Sequence, residues 1–300
     1  MQKIIINGVE VDLDSLKKAT GEFGEKTETI TKSLSGNTLS VSDVNADVNI
    51  KPTDAKAITV SVTGLKSLIK DVIVKEKNES VIIKGKGTSA RGGSSTIIQS
   101  GGGTVISTSG RGVSVIGSVH GSTIISGNNI IISDGDWDKM TIDVELPTGT
   151  TLEFSGVNGD ISIGDTRSDL RTILSGSGSV RAVSVKTFDG FVSGSGDIDI
   201  ERITDGASVR VTGSGDFTAG SVSGNVVLKI SGSSNANIKS GRIKKLEVSV
   251  SGSGDVRVNT TAQKADLWVS GSGDIYVAHV IERPRKNVSG SGDVKIGRIG

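Results

Sequence analysis

A five-residue unit, SGSGD, stands at residues 193–197, 251–255, 270–274 and 289–293, and again as TGSGD at 212–216. Three degenerate copies, SGVNGD from Ser155, SGSGSV from Ser175 and SGSSNA from Ser231, complete a series of eight. Successive starts lie 20, 18, 19, 19, 20, 19 and 19 residues apart. A period held that closely is an internal repeat, and it limits the fold before any other property is considered. Independent ligand loops have no reason to be so evenly spaced.

Each copy is followed by an alternating apolar pair: Ile161/Ile163, Val180/Ala182, Ile198/Ile200, Phe217/Ala219, Ala236/Ile238, Val256/Val258, Ile275/Val277 and Val294/Ile296. A second set precedes it, in Leu152/Phe154, Val209/Val211, Leu228/Ile230, Val248/Val250 and Leu267/Val269. Alternation with period two, rich in β-branched residues, is the signature of strands. No helix-length apolar pattern intervenes. The repeat therefore reads as strand, Gly corner, strand and a short third segment, which stacks into a parallel β-solenoid at about 4.8 Å per coil. The handedness of parallel crossovers predicts a right-handed β-helix. About eleven coils would make a rod near 50 Å long.

In such a stack each corner lies over the next, so backbones approach closely and some corner residues are expected at positive φ, which glycine meets without steric cost. The ladder Gly156, Gly176, Gly194, Gly213, Gly232, Gly252, Gly271 and Gly290 is read as a structural device, with flanking Ser and Asp capping turn amides.

The recurring SGSGD-(I/V)-x-(I/V) unit, with weaker segments VNADVNI (44–50) and ELPTGTTLEFSGVNGDISI (145–163), resembles the head GIN domain of auto-transporter adhesins. The resemblance covers about residues 40–85 and 134–300. It implies a β-solenoid with an adhesin-like or cell-envelope role, and it carries over no catalytic residue.

Composition agrees with thin coils: aromatic content is 3%, with 42 Gly and 3 Pro in 300 residues. The formal charge of +1 makes no case for nucleic acid or an anionic membrane. The absence of Cys removes disulfides, thiol catalysis, Cys-based metal sites and lipid attachment through cysteine. Asn7, Gly8 and Glu10 interrupt the apolar start, so no signal peptide is expected, nor is any stretch of transmembrane length. A cytoplasmic chain, a virion component and a secreted chain trimmed of its leader all fit that start.

Residues 1–38 read as an N-terminal cap, with a hairpin turning at Asn7-Gly8 and a short helix over DSLKKAT. Residues 39–85 read as irregular first coils, and 134–300 as the regular solenoid. Between them, residues 86–133 are nearly all Gly, Ser, Thr, Ile and Val, with apolar doublets roughly every 9 residues. They predict an insertion of short strands whose hydrophobic edges could pair with a second copy.

Asp197, Asp216, Asp255, Asp274 and Asp293, with Asp160, would stack as a carboxylate ladder. Calcium between coils is one reading; corner capping is the other and the preferred one, because Ser179 and Asn235 interrupt the series. No other metal, and no cofactor, is indicated. His120 and His279 stand far apart, no Ser lies in a nucleophile elbow, and the remaining carboxylates are scattered. Arg91, Arg111, His120 and Trp137 are candidate interaction residues. Trp137 and Trp268 read as packing residues before a sugar platform. The run Glu282-Arg283-Pro284-Arg285-Lys286 reads as a solvated corner.

Three functions follow from these features. The first is a non-catalytic, adhesin-like solenoid presenting an extended surface to a protein or glycan partner. The second is a structural or host-contacting component of a virus particle. The third is a glycan-active enzyme, which the scattered carboxylates argue against.

Overall fold

The structure is a computed structural model that describes residues 3–6, 9–12, 27–85, 96–100, 103–107, 123–126, 129–132 and 140–300, with side chains over 27–85 and 140–300. It is a parallel β-solenoid. The alternating pair after each corner stacks on its equivalent one repeat away, as in Phe217 on Ala236, Ala236 on Val256, Val256 on Ile275 and Ile275 on Val294. Two long faces result. Face I holds the strands before each corner and face II those after it, and a short third side, through Val185, Ile203 and Val222, closes the coil.

Alternation decides which side chains go inside. Val256, Val258, Leu267 and Val269 are buried, whereas Arg257 and Trp268 point outward. The coils are too thin for many rings, and the aromatic core residues depend on local space. Phe188 and Phe217 stack with centroids 6.0 Å apart. Phe188 can lie where it does because Gly190 has no side chain: a Cβ there would sit 2.5 Å from the ring.

Stack order departs from chain order at the N-terminal end. Thr38–Ser42 lies parallel between Ser80–Lys84 and Thr151–Ser155 on face I. Ala46–Thr53 lies parallel between Met140–Pro147 and residues 161–163 on face II. One early coil is thus wedged beneath the first regular one, because Ala46, Val48 and Ile50 repeat the inward pattern of the later coils. Above it, Met140–Pro147, Ile58–Leu65 and Thr27–Leu34 pair antiparallel. The outermost strand carries Glu28 and Lys32 on an exposed edge, which discourages further strand addition.

The far end is closed by chemistry. Lys286 follows Leu267 in an inward column, and its ammonium lies 3.5 Å from the Val294 carbonyl. The expected corner is present at residues 282–284, with Glu282 and Arg283 exposed, whereas Arg285–Val288 is an exposed strand whose Lys286, with the preceding Pro284, replaces apolar core residues at an open edge.

Lys3–Ile6 pairs antiparallel with Val9–Asp12 around Asn7-Gly8. In the insertion, Thr96–Ser100 pairs with Gly103–Ser107 and Thr123–Ser126 with Asn129–Ile132, placing Ile97 opposite Ile106 and Ile124 opposite Ile131. The helix expected over DSLKKAT lies outside the described residues.

Candidate functional site

The corner aspartates form a continuous hydrogen-bonded chain along the rod. Asp47 Oδ1 accepts the backbone N–H of Asp160 at 3.0 Å, and Asp160 Oδ1 accepts that of Ser179 at 2.9 Å. Ser179 Oγ accepts from Asp197 at 3.4 Å, Asp197 Oδ1 from Asp216 at 2.8 Å and Asp216 Oδ1 from Asn235 at 2.7 Å. Asn235 Oδ1 then accepts from Asp255 at 3.1 Å, Asp255 from Asp274 at 2.8 Å and Asp274 from Asp293 at 2.7 Å. Asp293 closes the series by accepting the N–H of Val294 at 2.7 Å.

The ladder exists because of what the main chain leaves over. At each corner the carbonyl of the ladder residue accepts an N–H from the preceding coil, as Asp274 does from Val256 at 2.8 Å. Its own N–H points back along the stack and takes the side-chain oxygen below. A backbone donor always needs a partner. Any residue with an acceptor at this position supplies one, which is why Ser179 and Asn235 do not break the chain. The series also begins earlier than the repeat motif, since Asp47 from VNADVNI supplies the first rung.

The glycines have a different cause from the one expected. Among the eight ladder glycines, only Gly156 has a positive φ, at 63°. The others are required by close approach: a Cβ at Gly213 or Gly232 would lie 1.9 Å from the carbonyl oxygen of the glycine one coil below. Gly176 is the exception, with its nearest neighbour, Asn158 Oδ1, 3.6 Å from such a Cβ. At the second glycine of the motif the fifth repeat has Ser234, fully buried, whose hydroxyl donates to the Gly213 carbonyl at 2.9 Å.

One oxygen of each ladder carboxylate is thus committed to an amide, and neighbouring rungs come from different coils. Among the described residues no group of three or more His, Cys, Asp or Glu side chains could hold a metal ion. His279 lies near the end of the rod, with Nδ1 3.2 Å from Thr261 Oγ1 and Nε2 3.1 Å from the Gly300 carbonyl oxygen. Trp268 points outward from face I and is 39% exposed. Arg91, Arg111, His120 and Trp137 lie outside the described residues.

The sequence reading missed Asp266. This carboxylate occupies an outward column yet is only 6% exposed, because Arg285 covers it from the next coil. The guanidinium donates from Nε at 2.5 Å and from Nη2 at 2.7 Å, and Lys245 lies 3.9 Å away. The Arg285 hydrogen bonds hold the Asp266 carboxyl below the usual range against the opposing effect of burial.

The family model described as "Putative auto-transporter adhesin, head GIN domain" matches residues 24–279. The chain belongs to this family. Solved structures share its fold: a "putative lipid binding protein" of Parabacteroides distasonis is 18% identical with a TM-score of 0.58, covering 90% of this chain and 96% of its own. A "putative adhesin" of Parabacteroides merdae is 13% identical with a TM-score of 0.54, covering 90% and 96%. Another, of Bacteroides fragilis, is 14% identical with a TM-score of 0.50, covering 91% and 97%. Among curated proteins none matches. No helix among the described residues is long and apolar enough to cross a membrane, which says nothing of a β-barrel.

Proposed function

We propose that this head GIN domain is a non-catalytic, adhesin-like binding module, exposed at a cell surface, that presents one or more solenoid faces to a protein or glycan partner. The observation that carries this reading is the register of the outward side chains. On face II, Asp143, Asn49, Ser162, Arg181, Asp199, Thr218, Asn237, Arg257, Tyr276 and Lys295 form a single straight column, each one coil from the next. A rigid column with one side chain about every 4.8 Å matches an extended ligand with a repeat of its own.

The same geometry favours binding over catalysis. Outward charges are spread along the rod and pair across coils, as Arg171 does with Asp189 at 3.7 Å, in place of converging on one point. The family's name supports an adhesive role. In our reading the corner aspartates are structural caps and hold no calcium.

The test is to apply fluorescently labelled protein to arrays of glycans and extracellular proteins, and to incubate it with a panel of polysaccharides. Saturable binding to one class, lost on replacing outward residues of one face without a change in melting temperature, is the expected result. Release of soluble sugar from any polysaccharide would overturn the non-catalytic reading.

A further inference from the structure

The formal charge of +1 conceals two opposed halves. Residues 140–238 carry 12 Asp and Glu against 7 Lys and Arg, a net of −5, whereas residues 239–300 carry 11 Lys and Arg against 6 Asp and Glu, a net of +5. The covering strands and early coil at 27–85 are nearly balanced, with 8 Lys against 7 Asp and Glu. Because each coil stacks on the last, this division in sequence becomes a division along the rod: acidic coils beside the N-terminal cover, basic coils at the far end.

Face II is where the imbalance is left open. On face I several outward charges pair within the molecule, through Arg171 with Asp189, Lys245 with Glu247, and Arg285 with Asp266. The exposed Arg210 and Lys229 are basic residues within the acidic half, so this face does not divide by sign. On face II, Asp199 and Glu201 in the acidic half and Lys239 and Lys295 in the basic half are exposed, without an ion-pair partner among the described residues. Arg257, in the same column, lies 5.2 Å from the Tyr276 ring centroid and keeps its charge.

We propose that face II is the contact surface for a second copy of this chain, packed side by side and antiparallel. A two-fold axis midway between Thr218 and Asn237 sets Asp199 of each copy level with Arg257 of the other, since both lie in one column at equal steps from that midpoint. The acidic half then meets the basic half twice. A parallel pair sets like halves together unless it is staggered, and a stagger leaves a contact that does not close. End-to-end stacking fails for a different reason, because the basic end would meet the nearly neutral antiparallel cover. An interface resting on exposed charges is weak and salt-sensitive, and it serves recognition and orientation more than affinity. The dimer covers the column on which the adhesive reading rests, so a foreign partner would meet face II of the monomer or the remaining faces of the pair.

The experiment is sedimentation velocity of the whole chain at about 20 mM and about 500 mM NaCl, between which the screening length falls from about 20 Å to about 4 Å. Dimers at low salt and monomers at high salt are expected, with a dissociation constant at least tenfold higher at high salt. The variant Lys239→Glu/Arg257→Glu/Lys295→Glu should be monomeric alone at both salts, as should Asp199→Lys/Glu201→Lys. Mixed at low salt, the two should form a heterodimer, because each altered half again faces its opposite. All five positions are exposed, and unchanged circular dichroism and melting will show that the variants are folded. A monomeric wild type at low salt, assemblies larger than dimers, or folded variants that do not pair on mixing would each overturn the proposal.

Discussion

Asp255 Oδ1 accepts the backbone N–H of Asp274 at 2.8 Å from one coil away, and Asp274 repeats the bond to Asp293 at 2.7 Å. The contact joins a side chain to a main-chain donor across a full repeat, so the corners are tied along the rod as well as around it.

Replacing Asp255 by Asn should change stability little, because Asn235 already makes the same bond through Oδ1 at 3.1 Å. Asp255→Ala should lower it by about 0.5–1.5 kcal/mol, the usual worth of one such bond. The melting temperature should be the same in calcium and in chelator. A calcium site would instead add about 2.7 kcal/mol at a hundredfold excess over its dissociation constant, a rise that Asp255→Asn and Asp274→Asn would remove. Thermal melts of these proteins with calcium and with chelator check both statements.

The glycine ladder yields a contrast within one motif. Gly271→Ala puts a Cβ 2.0 Å from the Gly252 carbonyl oxygen and forces the stacked corners apart. A loss of about 1–3 kcal/mol is expected, as for overpacked interiors, and more for Val. Gly176→Ala meets nothing closer than 3.6 Å and should stay within about 0.5 kcal/mol of the parent. Equal losses in urea titrations of the two variants would show that close approach is not the reason for the ladder.

Thr172 stands in an inward column between Phe154 and Gly190, and its buried hydroxyl has no hydrogen-bond partner. Thr172→Val keeps the shape and removes the orphan, so stability should rise by about 1 kcal/mol. Chemical denaturation of the two proteins measures the difference.

The Asp266–Arg285 pair makes stability depend on acid. The Arg285 hydrogen bonds hold the folded pKa of Asp266 below the ordinary carboxylate range. Its contribution is therefore fully present above the unfolded pKa and is lost as pH falls through the folded value. The raised Arg285 pKa lies far above this window and does not alter the sign. Melting temperatures from neutral pH down into the acid range should fall less steeply for Asp266→Asn, which begins lower at neutral pH. Parallel curves would mean that the pair is not linked to folding.

The sequence by itself determined the coil. A period near 19 and alternation on either side of each corner assign strands, faces and inward residues, because side chains alternate strictly in a strand and stacked coils must repeat. It also marked the glycines and aspartates as corner residues. Tertiary structure decided what those residues answer to. Whether a glycine serves φ or close approach depends on the position of the carbonyl one coil below. Whether an aspartate caps its own turn or the next coil depends on which amide the sheet leaves unpaired. Neither is a local property. The wedging of residues 38–53 beneath the first regular coil, and the covering of Asp266 by Arg285, likewise join segments that the chain keeps apart. Such pairings are set by the register of the stack, which local patterns of charge and hydrophobicity do not encode.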